Sequence, residues 1–227
     1  MLDVDTSRQD VAERLGQWVG AFESVTLHAA HQSITAVAES APAGALAATH
    51  TALEAHFQQV RSVLAQAITA KPAPEDMGRR ARHPLNQPEL LLETGSDFAP
   101  YRKRYLNQQR NMDLMVPPLR DHVRQTLSQA SPTLRQLAAL DAVWEQMLVA
   151  RAQKGLSTVP GFLEKRFKHL RKTHAHDDPA LWRQPGGWLD LFGKELQEVL
   201  LAELNVRLEP VLGLVEAFQS ESSKVTT

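Results

Sequence analysis

The stretch WLDLFGKELQEVLLAELNVRLEPVLGLVEAFQ, residues 188–219, decides the fold class. At about 100° per residue, its apolar positions recur at helical steps and spread over roughly two-thirds of the circumference, beyond the one-sided stripe of a surface helix. They include Leu189, Phe192, Leu196, Leu200, Leu204, Val206, Leu208, Val211, Leu214 and Phe218. A face that wide demands cover on several sides. The stretch therefore predicts one long helix that self-associates or docks a protein partner, with Leu196, Leu200, Leu204, Val211 and Phe218 as contact residues. Glu203 and Arg207 fall inside the apolar arc, four apart in the favourable order. Two readings stand: a buried pair that fixes register, or a partly exposed helical ion pair worth a few tenths of a kcal/mol.

Moving towards the N-terminus, Pro185-Gly186-Gly187 breaks the chain, and a turn holds His174–Pro179. Ser131-Pro132 is a helix start, a capping side chain followed by a proline where a missing N–H costs nothing. The helix it opens carries Leu134, Leu137, Trp144, Leu148, Leu156, Val159, Leu163 and Leu170 on one face, with a bend expected at Pro160-Gly161. Asp97 reads as the cap of a helix of about thirty residues through Phe98, Tyr101, Tyr105, Met112, Val116, Leu119, Val123 and Leu127, kinked or divided at Pro117-Pro118. Residues 71–96 hold Pro72, Pro74, Pro84 and Pro88 with little periodicity and read as a loop or linker.

Ahead of that loop, Leu46, Leu53, Phe57, Val60, Leu64 and Ile68 define a helix of roughly 25 residues. Thr26 caps a short helix ending near Ser40. An earlier short helix places Val11, Leu15, Trp18, Val19 and Phe22 behind the capping pair Thr6 and Gln9. No segment alternates as a strand does. The expectation is an all-α protein of long, kinked, antiparallel helices forming a bundle, with residues 1–70 as an N-terminal helical segment, 71–96 as linker and 97–227 as the long-helix bundle.

Composition narrows the function classes. The 227 residues are 43% hydrophobic and 22% charged and contain no cysteine, which excludes disulfides, thiol catalysis and thiolate metal sites and suits a cytoplasmic setting. The start is acidic and lacks the basic and apolar run of a signal peptide, and no apolar stretch reaches the roughly 18–20 residues of a membrane span. Charge is sorted by segment. Residues 98–176 carry 14 Lys and Arg against 5 Asp and Glu, while residues 1–97 have 7 against 12 and residues 177–227 have 4 against 9.

Several strings resemble the bacterial family of domain of unknown function 3348: Asp97-Phe98-Ala99-Pro100-Tyr101-Arg102-Lys103-Arg104-Tyr105, then residues 137–146 and 159–167, with Arg14–Trp18 and Leu208–Glu216 fitting as well. The resemblance covers nearly the whole chain. It implies a helical protein with no assigned activity, and more helix ahead of the first segment than this chain carries. Members of the family are often encoded beside proton-channel proteins of the MotA/TolQ/ExbB type and OmpA-like envelope proteins, which implies an accessory role in an envelope apparatus.

Candidate chemistry is sparse. His169, His174, His176, Asp177 and Asp178 are the densest ligand-capable cluster. His174, His176 and Asp177 are the candidate metal ligands, and His176-Asp177 suggests a metal-dependent hydrolase of the HD type, for which His122, His169 and Asp190 are the available further ligands. The competing reading is a polar helix end, with Asp178-Pro179 capping the next turn. His28 with His31, and His50 with His56, lack a nearby carboxylate and read as surface or interface residues. Ser33, Ser96 and Ser131 have no base in a recognisable spacing, and the glycines form no phosphate loop. No cofactor is expected.

The basic segment divides. Arg102, Lys103, Arg110, Arg120 and Arg124 share a flank diluted by Asp113 and Asp121, whereas Lys154, Lys165, Lys168 and Lys172 form a cleaner stripe reinforced by Arg171. That stripe fits a solvated face, an acidic protein surface, or, less well, nucleic acid or anionic lipid. Tyr101 and Tyr105 are in phase with the core and are not stacking residues. The residues point to a non-catalytic scaffold or accessory interaction protein.

Overall fold

The computed structural model describes residues 43–70 and 97–225. The two short helices expected before residue 41 and the linker 71–96 lie outside the described residues. Those described form α1 (Ala43–Thr69), α2 (Ala99–Ala130), α3 (Pro132–Leu156), α4 (Val159–Thr173), a 3-10 turn at Pro179–Leu181 and α5 (Trp188–Val225), with no strand among them. The protein is an all-α helical bundle.

Helix starts follow the capping chemistry. Asp97 Oδ1 accepts from the Ala99 N–H at 2.9 Å ahead of α2, and the Ser131 hydroxyl accepts from the Leu134 N–H at 3.2 Å ahead of α3. α2 runs unbroken through Pro117-Pro118, and α5 through Pro210. All three prolines are exposed, and the carbonyls that lose their partner one turn back, at Asp113, Leu114 and Val206, belong to exposed residues too.

The single helix expected from Ser131 to about Leu170 is two. Ser157 and Thr158 turn their hydroxyls onto the carbonyls of Lys154 and Gly155, at 2.8 and 2.7 Å. Pro160 has no N–H with which to continue the ladder and instead enters the first turn of α4.

α1 is antiparallel to both long neighbours. Arg104 reaches the Ile68 carbonyl at 2.8 Å while His122 lies beside His56, and Gln197 reaches Thr69 while Phe218 stacks on His50. α2 and α5 run parallel, Tyr101 meeting Phe192 and Asp113 meeting Arg207. The segment from α3 to the 3-10 turn is the return between them.

α5 is the axis: it packs against each of the other four helices. Leu196, Leu200, Leu204, Val211 and Phe218 are at most 1% exposed. These five, expected to contact a partner, are core side chains. The cover demanded by the wide apolar arc comes from within the chain, chiefly from α1 and α2. Val206, at the edge of that arc, is 72% exposed.

Aromatic rings close one end of the core. Phe167 of α4 lies 5.2–5.7 Å, centroid to centroid, from Phe98, Tyr101, Trp188 and Phe192, in tilted and edge-on contacts that ring quadrupoles favour. α3 is less complete. It buries only Leu134 and Ala138, leaving Leu140, Trp144, Met147 and Leu148 partly exposed and Val149 exposed.

Candidate interaction surface

A buried polar seam joins α2 to α5. The Tyr105 hydroxyl donates to Glu203 Oε2 at 2.6 Å, Gln109 Nε2 donates to Glu203 Oε1 at 3.0 Å, and Arg207 Nε donates to the same oxygen at 2.9 Å. Arg207 also reaches Asp113 at 2.6 Å. The Glu203 side chain is 3% exposed and that of Arg207 21%, so the helical pair is buried on its acidic side. A buried carboxylate is tolerated only when its lone pairs are satisfied, and here three donors do so. Burial raises the Tyr105 pKa above the ordinary phenol value, and its hydrogen bond to Glu203 and that residue's charge raise it further against Arg207. Burial opposes the charge on Arg207, but its bonds to Asp113 and Glu203 outweigh it, and the Arg207 pKa is raised.

Several arginines of the basic segment are engaged within the molecule, while Arg102, Lys103 and Arg110 of the expected flank are exposed. Arg120 forks onto Asp141 through Nε and Nη2 at 2.8 and 2.6 Å, and Arg124 bonds Glu145 at 2.6 Å and contacts Asp121. Arg166 forks onto Glu195, and Arg104 donates to the carbonyls of Ile68 and Ala70 at the C-terminal end of α1. Planar guanidinium groups thus hold one helix to another. Asp113 and Asp121, which appeared to dilute a surface flank, are partners of Arg207 and Arg124.

The lysines face outwards. Lys154, Lys165, Lys168 and Lys172 are all exposed. Lys168 pairs with Glu164 at 2.7 Å, both side chains largely in solvent, where such pairs are worth about 0–1 kcal/mol. Lys165 sits 5.7 Å over the ring of Phe162, itself 65% exposed. Lys154 and Lys172 have no carboxylate partner among the described residues. The break at Ser157 and Thr158 places Lys154 on α3 and the other three on α4, so the expected stripe is continuous only from Lys165 to Lys172. On α4 these three lie opposite the buried Leu163, Phe167 and Leu170.

The His/Asp turn is held locally. His174 Nδ1 pairs with Asp177 Oδ2 at 2.7 Å, Asp178 Oδ1 caps the 3-10 turn through the Ala180 N–H at 2.9 Å, and His176 is exposed. His122 lies against His56 on α1, and Asp190 Oδ2 accepts from Gly186 and Lys194. His122 is therefore not at the turn, and the Asp190 carboxylate is taken up by Gly186 and Lys194. Among the described residues no three His, Cys, Asp or Glu side chains are arranged to hold a metal ion. Asp177, Asp178, Trp182 and Gly187 border an open depression of about 520 Å³.

The fold and its seams define the class, an all-α bundle whose described helices include none long and apolar enough to cross a membrane. The chain belongs to the DUF3348 family, described as protein of unknown function, whose model matches residues 1–220. No curated protein and no solved structure matches the chain.

Proposed function

We propose that the protein is a non-catalytic, cytoplasmic accessory protein that docks an acidic protein surface through the outer face of α4. One observation carries this reading: in the segment of excess positive charge, Arg104, Arg120, Arg124 and Arg166 are taken up by bonds within the chain, while Lys165, Lys168 and Lys172 are presented together to solvent. Fixed cationic ridges of this kind steer and orient an acidic partner more than they add affinity. The exposed edge of α5 carries Glu198, Glu209 and Glu216, so a second copy is one acidic surface that fits. The family resemblance, with its envelope neighbours, supports an envelope apparatus as the setting.

The test uses the full chain as bait in its native lysate, compared with Lys165→Glu/Lys172→Glu, together with mass determination at low and high salt. Wild type should retain an acidic partner or a second copy at low salt and release it at high salt, and the double variant should retain neither. A partner held equally by both proteins, or a monodisperse monomer that captures nothing, overturns the reading. DNA retention lost in the variant would transfer the ridge to nucleic acid.

A further inference from the structure

The rings of His56 on α1 and His122 on α2 lie with centroids 5.3 Å apart and planes crossed at 64°. We infer that this pair is a binding site for a divalent transition metal of the Cu²⁺, Ni²⁺ or Zn²⁺ type, clamping α1 to α2. Two imidazoles that share one such ion through nitrogens at about 2.0–2.1 Å hold their ring centroids roughly 4.5–5.5 Å apart. The observed centroid separation falls within that interval, so rotation of the two imidazoles about their side-chain bonds is the adjustment that binding asks for.

Three further observations support the site. Neither imidazole has a hydrogen-bond or ion-pair partner among the described residues, unlike His174, whose Nδ1 is held by Asp177. His56 is half-buried and His122 exposed, so an ion reaches the pair from solvent and water completes its coordination. The pair also spans two helices. Because α1 and α2 are joined through residues 70–98, the two ligands are held together only when α1 is docked, and binding free energy becomes docking free energy. Read along one helix, His56 had His50 as its only candidate mate; the fold supplies a different one.

The full chain, stripped with chelator, is titrated with Cu²⁺ and with Ni²⁺. The expected result is one ion per chain at the first equivalent, and a Tm rise of about 5–10 °C at roughly 100-fold excess over Kd. Pulsed EPR of the Cu²⁺ adduct should count two imidazoles. His56→Ala and His122→Ala should each abolish the rise, and both are tolerated because neither side chain is in the core. His174→Ala/His176→Ala should leave it intact. No rise in wild type, a rise that survives in His56→Ala or His122→Ala, or one lost in the His174 and His176 variant, overturns the site.

Discussion

The Tyr105 hydroxyl and the Glu203 carboxylate meet at 2.6 Å between α2 and α5, although 98 residues separate them in sequence. The contact is made in one axial register of the two parallel helices, since Tyr105 and Glu203 meet only there. A buried carboxylate penalises any register that leaves it short of donors.

Tyr105→Phe removes one of the donors and leaves a buried oxygen undersatisfied. The variant should be about 1–3 kcal/mol less stable by urea denaturation. Combined with Glu203→Gln, it should show a coupling of at least about 0.5 kcal/mol in a double-mutant cycle. Strict additivity would remove this contact from the account of register.

Alkaline pH should unfold the protein through its two tyrosines. The Tyr101 and Tyr105 pKa values are both raised, first by burial; for Tyr101, Arg183 and Arg104 work against the shift. A raised pKa keeps the proton on the folded chain where the unfolded chain releases it. The stability these two groups contribute is therefore intact below about pH 10, the ordinary phenol value, and is lost as the pH rises above it towards their raised folded-state values. Since the chain has two tyrosines, phenolate absorbance should appear only together with loss of helix. Phenolate formation in a fully helical protein near pH 10 would contradict the burial argument.

Gly187→Ala and Gly193→Ala should behave oppositely. A Cβ at Gly187 would overlap the carbonyl oxygens of Leu181 and Trp182, whereas one at Gly193 meets nothing within 4 Å. The first should lower stability by more than about 2 kcal/mol, because backbone must move. The second should raise it by about 0.5–1 kcal/mol through helix propensity. Thermal melts of the two variants decide.

Asp141 holds Arg120 and Arg124 from α3, with its side chain 11% exposed. Asp141→Ala should cost about 2–4 kcal/mol by leaving two half-buried guanidinium groups short of acceptors. Arg120→Lys should recover part of the charge and lose the fork. A urea midpoint unchanged in both would show that the α2–α3 hairpin stands on its apolar contacts alone.

Helix positions were legible because local chemistry sets them: Ser131-Pro132, Asp97 and the three-four spacing of Leu53 to Ile68 require nothing distant. Glu203 and Arg207 were legible as a pair at one helical turn. Their partners Tyr105, Gln109 and Asp113 were not, since a one-dimensional pattern does not say which helix lies opposite. The same blindness joined Lys154 to the α4 lysines, because periodicity continues through Ser157 and Thr158 while the backbone does not. It also turned the wide apolar arc of α5 outwards. Breadth shows that a helix must be covered, and only the packing of α1 and α2 upon it shows that the chain covers itself.

That central position has a consequence for biosynthesis. The helix on which all the others pack is the last of the described helices to leave the ribosome. Until Leu196 to Phe218 emerge, the apolar faces of α1 and α2 have no third wall, and contacts such as Gln197 with Thr69, 128 residues apart, close only once α5 has been made. Assembly around α5 therefore waits until that helix has been made, and a chain cut short ahead of Leu196 lacks the axis on which α1 and α2 pack.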